Sequence, residues 1–282
     1  MSLLSHIELD DIVRRALAED VGHGDLTTAA TVRGDLRGRA RISVKQPSMV
    51  FAGGFLVGKV LEMTDAEPRL ASLADEGASL KQGDIVAEIE GRVAGLLTGE
   101  RVALNFVQLL SGIATMTRAF VDEVAGTRAR IVDTRKTHPG LRTLEKYAVR
   151  VGGGYNHRFA LDSGILIKEN HIAAAGSVSS AIARAREVSP HSFRIEIECE
   201  TITQVEEALA AGADVILLDN MTLENIRQAR KLAGDSVILE VSGGVTLKTV
   251  RAIAEAGVDI ISVGALTHSV SAVDVSMRID SH

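Results

Sequence analysis

The sequence predicts an α/β protein whose second half forms a parallel sheet that closes, or nearly closes, into a barrel. Apolar runs alternate there with segments of helical spacing, as in chains where helices connect parallel strands. Each apolar run also ends in residues that can bind an anion or do chemistry. All strand carboxyl ends of an α/β barrel meet on one face, where the active sites of that fold lie. The pattern therefore predicts an enzyme site assembled from six strand ends.

Six predicted strands carry this interpretation. They are Ala129–Thr134, Ile165–Lys168, Arg194–Cys199, Val215–Asp219, Val237–Val241 and Asp259–Val263. Helical spacing predicts helices at Ile202–Ala211, Leu223–Leu232 and Leu247–Ala256. The strand ends read Thr134-Arg135-Lys136, Lys168-Glu169-Asn170-His171, Glu198, Asp219-Asn220, Ser242-Gly243-Gly244 and Gly264-Ala265. Cations thus follow the first strands, acids the middle ones, and glycines the last.

The first hundred residues are organised differently. Asp10–Glu19 has the spacing of a short amphipathic helix, and Gly38–Lys45 has that of a strand. Gly77–Ile89 resembles half of a lipoyl- or biotinyl-type carrier domain, but it lacks a lysine beside methionine at a hairpin tip. A β-rich packing domain is therefore the favoured interpretation of this part of the chain.

A long helical pattern at Glu100–Val124 joins the two halves. We place the domain boundary near residue 105. The prediction is an N-terminal domain of residues 1–105, a barrel domain of residues 106–268 and a C-terminal segment, 269–282, that returns to the N-terminal domain.

Composition narrows the functional class. A chain of 282 residues with 46% hydrophobic and 24% charged residues is typical of a globular protein. No run of 18 apolar residues is present and Met1–Leu9 lacks the pattern of a signal peptide, so we expect a cytoplasmic protein without a membrane span. The net charge of −6 argues against nucleic acid as a partner. The single cysteine, Cys199, is interpreted as a small buried side chain rather than a nucleophile.

One segment departs from this acidic balance. Residues 135–171 contain seven Lys or Arg against three acids, a net charge of +4. Converging cations in a cleft bind phosphate or carboxylate, so the segment predicts an anionic ligand. Arg142, Lys146 and Arg150 have the spacing of a solvated helix face. Arg135, Lys136 and Lys168 instead follow apolar strands directly, where chemistry is the better interpretation.

Acidic residues and glycines mark the remaining strand ends. Glu196, Glu198 and Glu200 alternate onto one strand face, which must meet cations, a metal or water. Glu198 and Asp219 could share Mg²⁺ or hold sugar hydroxyls, although Asp219 could equally be a helix N-cap. The glycines of the last two strand ends favour phosphate binding, as in many α/β barrels.

These motifs together resemble a known family. They are Gly24-Asp25-Leu26-Thr27, Gly99-Glu100-Arg101, Asp133-Thr134-Arg135-Lys136-Thr137, Gly152-Gly153-Gly154-Tyr155-Asn156-His157-Arg158, Ile167-Lys168-Glu169-Asn170-His171, Leu218-Asp219-Asn220 and Val241-Ser242-Gly243-Gly244. The chain resembles the quinolinate phosphoribosyltransferases over nearly its whole length. The resemblance implies an N-terminal α/β sandwich and an incomplete, open barrel of seven strands, of which six are placed above.

The resemblance also implies a reaction and a set of roles. Phosphoribose passes from phosphoribosyl pyrophosphate (PRPP) to quinolinate with Mg²⁺, giving nicotinate mononucleotide, CO₂ and pyrophosphate. Catalytic roles fall to Lys136, Lys168, Glu198 and Asp219, with Glu198 and Asp219 facing ribose and metal. Quinolinate and PRPP are bound by Arg101, Thr134, Arg135, Lys136, His157, Arg158 and Lys168, with Arg101 supplied by the second subunit of a homodimer. The 5-phosphate is held by Ser242, Gly243, Gly244, Gly264, Ala265 and His268.

Three alternatives stay open at this point. A Schiff-base lyase or aldolase would use Lys168 as a nucleophile at a strand end. A carrier or binding module would be built on residues 77–90. A related phosphoribosyltransferase would take another pyridine-type substrate.

Overall fold

The computed structural model describes residues 6–281, and the side-chain surroundings of residues 8–280. The chain begins with α1 (His6–Val21), α2 (Leu26–Thr31), β1 (Arg37–Val44), β2 (Ser48–Val50), α3 (Gly54–Met63), β3 (Arg69–Leu73), β4 (Ser79–Lys81), β5 (Ile85–Arg92) and α4 (Val93–Glu123). It continues with β6 (Arg130–Val132), α5 (Arg142–Val151), β7 (Ile165–Ile167), α6 (Glu169–Ala175), α7 (Val178–Val188), β8 (Ile195–Cys199), α8 (Ile202–Ala210), β9 (Val215–Asp219), α9 (Leu223–Ala233), β10 (Ile238–Ser242), α10 (Val250–Glu255), β11 (Ile260–Ser262), α11 (Ala265–His268) and β12 (Val275–Ser281). No helix among these is long and apolar enough to cross a membrane. Most of the Met1–Leu9 stretch, on which the expectation about a signal peptide rests, lies outside the described residues.

The residues form two compact units. The first comprises the chain up to Arg118, Thr137–Gly153 and the chain from Thr267 onward, and the second comprises Ala119–Lys136 and Gly154–Leu266. The first unit therefore extends past residue 105 and takes in α5. α4 is one continuous helix of 31 residues, and both residue 105 and the division after Arg118 lie within it.

The first unit is built on a four-stranded antiparallel sheet in the order β12-β1-β5-β3, with a separate pair of β2 and β4. Alternate residues of β1 are buried, as a strand with one solvated face requires. Its outward arginines meet acids of β5, with Arg39 Nη2 2.7 Å from Glu90 Oε1 and Arg41 Nε 3.0 Å from Glu88 Oε1. The inward residues join an apolar core with α3, α4 and the segment around β12. Gly77–Ile89, which resembles half of a carrier domain in sequence, contains β4 and the first part of β5 in this unit.

The second unit is a parallel six-stranded sheet in the order β6-β11-β10-β9-β8-β7, with helices between successive strands. Its α/β architecture confirms the predicted open barrel. Every predicted strand is present, with bounds that differ by at most two residues. β6 also forms a single parallel bridge, between Val132 and Tyr155. That bridge is the only trace of a seventh strand in the part of the chain that the structure describes.

One predicted surface is wrong. Lys146 on α5 is only 2% exposed, although its spacing with Arg142 and Arg150 predicted a solvated helix face. Arg142 is half-buried and Arg150 is exposed. Because α5 also buries Thr143, Leu144, Glu145, Ala148 and Val149, the buried stripe is wider than the charge spacing suggested.

Candidate active site

A cleft of about 570 Å³ opens at the carboxyl ends of the parallel strands of the second unit. Its lining brings together many of the residues predicted from the sequence: Thr134, Arg135, Lys136, His157, Arg158, Lys168, Glu198, Asp219, Ser242, Gly243 and Gly244. Most of them follow the carboxyl ends of β6 to β10, because parallel strands bring their carboxyl ends to one edge. His157 and Arg158 instead lie before β7, just after the bridge between Val132 and Tyr155. Cations and carboxylates therefore share a single cavity.

Lys168 and Glu198 form an ion pair in the cleft, with 2.5 Å from Nζ of Lys168 to Oε2 of Glu198. The pairing follows from the sheet, since β7 and β8 are neighbours and Ile167 lies opposite Ile197. The Lys168 backbone N–H donates to Nδ1 of His171 at 2.9 Å, which fixes the start of α6. His171 is thus part of a helix cap that holds Lys168 at the strand end.

Asp219 ends β9 beside this ion pair. The Asn220 side chain donates to Oδ2 of Asp219 at 2.8 Å. Burial raises the pKa of the Asp219 carboxyl, and the negative charge of Glu198 raises it further. The helix-cap alternative for Asp219 is wrong, because Thr222 is the N-cap of α9 and accepts the Asn225 backbone N–H at 3.3 Å. Two repelling carboxylates therefore face the cavity.

Two arginines form the basic wall. Burial lowers the pKa of the Arg158 guanidinium, the positive charge of Arg135 lowers it further, and Glu196 opposes both effects. One guanidinium nitrogen of Arg158 donates to the Gly164 carbonyl at 3.0 Å. Lys136 is exposed at the rim, where its backbone N–H donates to Oγ1 of Thr134 at 3.0 Å. Two positive charges that are partly buried beside each other favour binding of an anion with more than one negative group, because such an anion compensates both.

The loop after β10 turns through two residues with positive φ, +90° at Gly243 and +60° at Gly244. A Cβ at Gly243 would overlap Oδ1 of Asn220, and the positive φ is strained for other residues, so a substitution would have to displace the Asn220 side chain. The Asn220 backbone N–H also donates to the Ser242 carbonyl at 3.0 Å, which ties the ends of β9 and β10 together. The next helix, α10, begins at Val250 rather than at the predicted Leu247, because a turn at 247–249 comes first. Gly264 and Ala265 follow β11 and are half-buried.

Three residues discussed in the sequence analysis, Arg101, His268 and Cys199, are not among the residues that line this cleft. Arg101 is exposed on α4 and His268 is exposed at the end of α11, both in the first unit. Cys199 is fully buried on β8, where burial raises the pKa of the thiol to about 12. This agrees with the interpretation of Cys199 as a packed side chain.

Sequence reasoning missed two polar residues that line the cleft and one buried residue that supports it. Glu240 and Ser262 line the cavity, and Asp133 is buried below its rim. Asp133 accepts the His157 backbone N–H at 2.9 Å and the Asn156 side chain at 2.5 Å. A signal for Glu240 was available, since it is the one polar residue within the predicted apolar strand Val237–Val241.

Comparisons with known proteins agree along the whole chain. Residues 25–111 match the N-terminal domain family of quinolinate phosphoribosyl transferase, and residues 113–278 match its C-terminal domain family. A Bacillus subtilis (strain 168) protein named probable nicotinate-nucleotide pyrophosphorylase (carboxylating) is 45% identical, covering 98% of this chain and 95% of its own. A Nicotiana tabacum protein named quinolinate phosphoribosyltransferase (decarboxylating) 1b is 38% identical, covering 97% and 83%. The crystal structure of NadC from Streptococcus pyogenes has a TM-score of 0.94 at 44% identity and covers 99% of each chain.

Proposed function

The chain belongs to the quinolinate phosphoribosyltransferase family, and from this premise we infer that the cleft of the second unit is the site of the family's reaction. The enzyme transfers phosphoribose from PRPP to the ring nitrogen of quinolinate with loss of a carboxylate, a step of NAD biosynthesis. This reaction replaces the Schiff-base and carrier alternatives. The observation that carries the assignment of the site is that one cavity is lined by both the arginines Arg135 and Arg158 and the carboxylates of Glu198 and Asp219.

The basic wall suits the ring carboxylates of quinolinate. Burial and the nearby positive charge of Arg135 both lower the pKa of the Arg158 guanidinium. A ligand with two adjacent carboxylates compensates both positive charges, and arginine can meet a carboxylate through two parallel hydrogen bonds. In this proposal Thr134, Lys136, His157 and Lys168 complete the surroundings of quinolinate and the anionic ends of PRPP.

The carboxylates suit the sugar. Departure of pyrophosphate leaves positive charge on the ribose ring, and negative groups already fixed nearby stabilise that charge. Glu198 and Asp219 are held for this task by Lys168 and Asn220. Loss of CO₂ then places electron density on the ring carbon beside the quaternised nitrogen, where the positive ring stabilises it.

The same two carboxylates fit Mg²⁺. Burial and the negative charge of Glu198 raise the pKa of the Asp219 carboxyl, and a bound cation would offset that repulsion. Mg²⁺ in proteins is commonly held by one or two carboxylates together with substrate phosphates. When bound, it would neutralise the pyrophosphate leaving group. Glu198 and Asp219 are the residues that we propose hold it.

The glycine loop and the second subunit complete the proposal. Backbone N–H groups of Ser242, Gly243 and Gly244 would hold the 5-phosphate, together with the residues Gly264, Ala265 and His268. We also propose a homodimer in which Arg101, exposed on α4, enters the partner's site.

A direct assay tests the function. The protein is incubated with PRPP, Mg²⁺ and either quinolinate or nicotinate, and CO₂ and mononucleotide are followed in parallel. Equimolar CO₂ and nicotinate mononucleotide from quinolinate are expected. No release of CO₂ by folded protein would contradict the proposal, and turnover of a different pyridine would indicate the third alternative.

A further inference from the structure

A buried group of three titratable side chains lies at the inner end of the cleft. Glu196 of β8 and Glu240 of β10 are 8% and 2% exposed, and both stand beside the imidazole of His157. Nε2 of His157 is 3.2 Å from Oε2 of Glu196 and 3.6 Å from Oε1 of Glu240. The acids come from alternate strands, as expected for side chains that share one layer inside a barrel. The reaction as derived above gives neither acid a role.

Two buried carboxylates in this group have no matching number of positive charges beside them. Oε1 of Glu196 and Oε1 of Glu240 are buried without a hydrogen-bond partner among the described residues. Two buried carboxylates against one imidazole are costly unless a proton or a metal ion is held between them. Burial and the charge of Glu196 raise the pKa of Glu240, with His157 and Ser262 opposing them. A neutral Glu240 could donate a hydrogen bond to Glu196.

The hydrogen bonds of His157 decide between proton and metal. Its Nδ1 accepts the backbone N–H of Arg158 at 2.7 Å, so Nδ1 carries no hydrogen. The ring hydrogen of a neutral imidazole then sits on Nε2 and points at the two acids. A nitrogen that bears a hydrogen cannot ligate a metal. The group is therefore a hydrogen-bonded chain and not a metal site.

This chain of hydrogen bonds ends at Arg158, one of the two arginines of the basic wall. His157 is fixed at its backbone by Asp133 and at its ring by Glu196, and Glu240 lies 3.6 Å from Nε2 of His157, next to Glu196. Its Nδ1 in turn holds the backbone of Arg158, whose guanidinium lines the cleft. We propose that Glu240 is a positioning residue for quinolinate binding, which acts through Glu196 and His157 to orient Arg158. The inference rests on the proposed function, in which Arg158 binds a ring carboxylate.

The test compares two substitutions of Glu240 in the full-length enzyme. Glu240→Leu removes the chain but fills the space, whereas Glu240→Gln keeps a donor for Glu196 and an acceptor for His157. Glu240→Leu should weaken quinolinate binding by calorimetry, and raise its KM, by roughly tenfold or more. The KM for PRPP and kcat at saturating quinolinate should stay within about threefold. Glu240→Gln should restore quinolinate binding to within about threefold of wild type.

Val241→Ala is the matched control. Val241 is the next residue of β10, equally buried, and points to the opposite face of the strand. It should lower thermal stability without changing the affinity for quinolinate. An equal loss of affinity in Val241→Ala would overturn the inference, since the effect would be one of core packing.

Other outcomes are separated in the same experiment. Wild-type protein that neither binds nor turns over quinolinate would overturn the proposed function and the inference together. Wild-type protein that binds it, with Glu240→Leu equally tight or Glu240→Gln equally impaired, would overturn the inference alone. Stoichiometric zinc by elemental analysis, lost in Glu240→Leu, would also overturn it in favour of a metal site.

A spectroscopic measurement covers the case in which Glu240→Leu does not fold. Wild-type protein and Glu240→Gln, labelled with ¹⁵N-histidine, should both show His157 as the neutral tautomer with hydrogen on Nε2. The signal is assigned by its loss in His157→Asn. A hydrogen on Nδ1 of His157 in the wild-type protein would overturn the inference, because Nδ1 could then not accept the backbone N–H of Arg158.

Discussion

Nζ of Lys168 lies 2.5 Å from Oε2 of Glu198, so two residues assigned to catalysis are paired with each other. Asp219 stands beside that pair, and the charge of Glu198 contributes to its raised pKa. Removing the charge of Glu198 would therefore also change the electrostatic surroundings of Asp219 and Lys168. Glu198→Gln would leave the Lys168 ammonium available to an anionic ligand.

We expect the two acids to act on turnover rather than on quinolinate binding. Glu198→Gln and Asp219→Asn should each lower kcat by about tenfold or more, because negative charge is needed where the sugar becomes cationic. The dissociation constant of quinolinate should change by less than about threefold. Glu200→Gln, on an exposed side chain just beyond β8, is the control. Loss of quinolinate binding with intact turnover of bound substrate would contradict the assignment.

Substrate choice should follow from the like charges of Arg135 and Arg158. Nicotinate has one carboxylate and would leave excess positive charge in a partly desolvated wall. The kcat/KM for quinolinate should exceed that for nicotinate by about a hundredfold or more. Phthalate should compete with quinolinate, whereas benzoate should compete poorly. Equal turnover of nicotinate would show that the wall does not select by charge.

Gly243→Ala should inactivate the enzyme by moving Asn220. The new methyl group would overlap Oδ1 of Asn220, and φ of +90° is itself strained for alanine. Asn220 holds Asp219, so kcat should fall together with a loss of stability of about 1–3 kcal/mol. Gly34→Ala, where no atom lies within 4 Å of the new Cβ, is the control. Wild-type kinetics in Gly243→Ala would contradict the role given to this contact.

Cys199 should resist alkylation while the protein is folded. A pKa of about 12 leaves the thiol neutral at about pH 8, and the thiolate is the reactive form. Intact mass after iodoacetamide should show no adduct in the native protein and one adduct in denaturant. Rapid labelling of native protein would mean that β8 opens easily.

The ownership of Arg101 can be tested by mixing inactive variants. Arg101→Ala and Lys168→Ala homodimers should each be nearly inactive. Free exchange makes about half of the dimers mixed, and each mixed dimer has one site with neither defect, so activity should recover to about a quarter of wild type. No recovery, with exchange verified by mass, would mean that Arg101 serves its own chain or that the protein is not this kind of dimer.

Strand ends were the part of the site that the sequence could predict. Lys168, Glu198 and Asp219 each follow an apolar run, and parallel strands necessarily bring such positions to one edge. This prediction requires no interatomic distances, because the order of strands and helices along the chain already identifies the strand ends. Glu240 was missed because it lies inside a strand, where apolar neighbours draw attention to the core.

Features that depend on tertiary packing escaped the sequence. The burial of Lys146 depends on how α5 packs, which charge spacing alone does not specify. α10 begins at Val250 because a turn at 247–249 precedes it, and the segment before β7 pairs with β6 only through the bridge between Val132 and Tyr155. The choice of Thr222 over Asp219 as a helix cap follows from where the backbone first becomes helical.

The pairing of β12 with β1 has a consequence for how the protein is made. Pairs such as Ala40 with Ile279 join residues from opposite ends of the described chain, with β1 as a central strand between β12 and β5. On the ribosome β1 therefore waits with one edge open until β12 has emerged, after the parallel sheet has been synthesised in full. Contacts so distant in sequence form slowly, and an open strand edge is prone to pair with other chains. The sheet that begins first in synthesis is thus completed last, which makes the nascent first unit the stage at which a chaperone would be needed most.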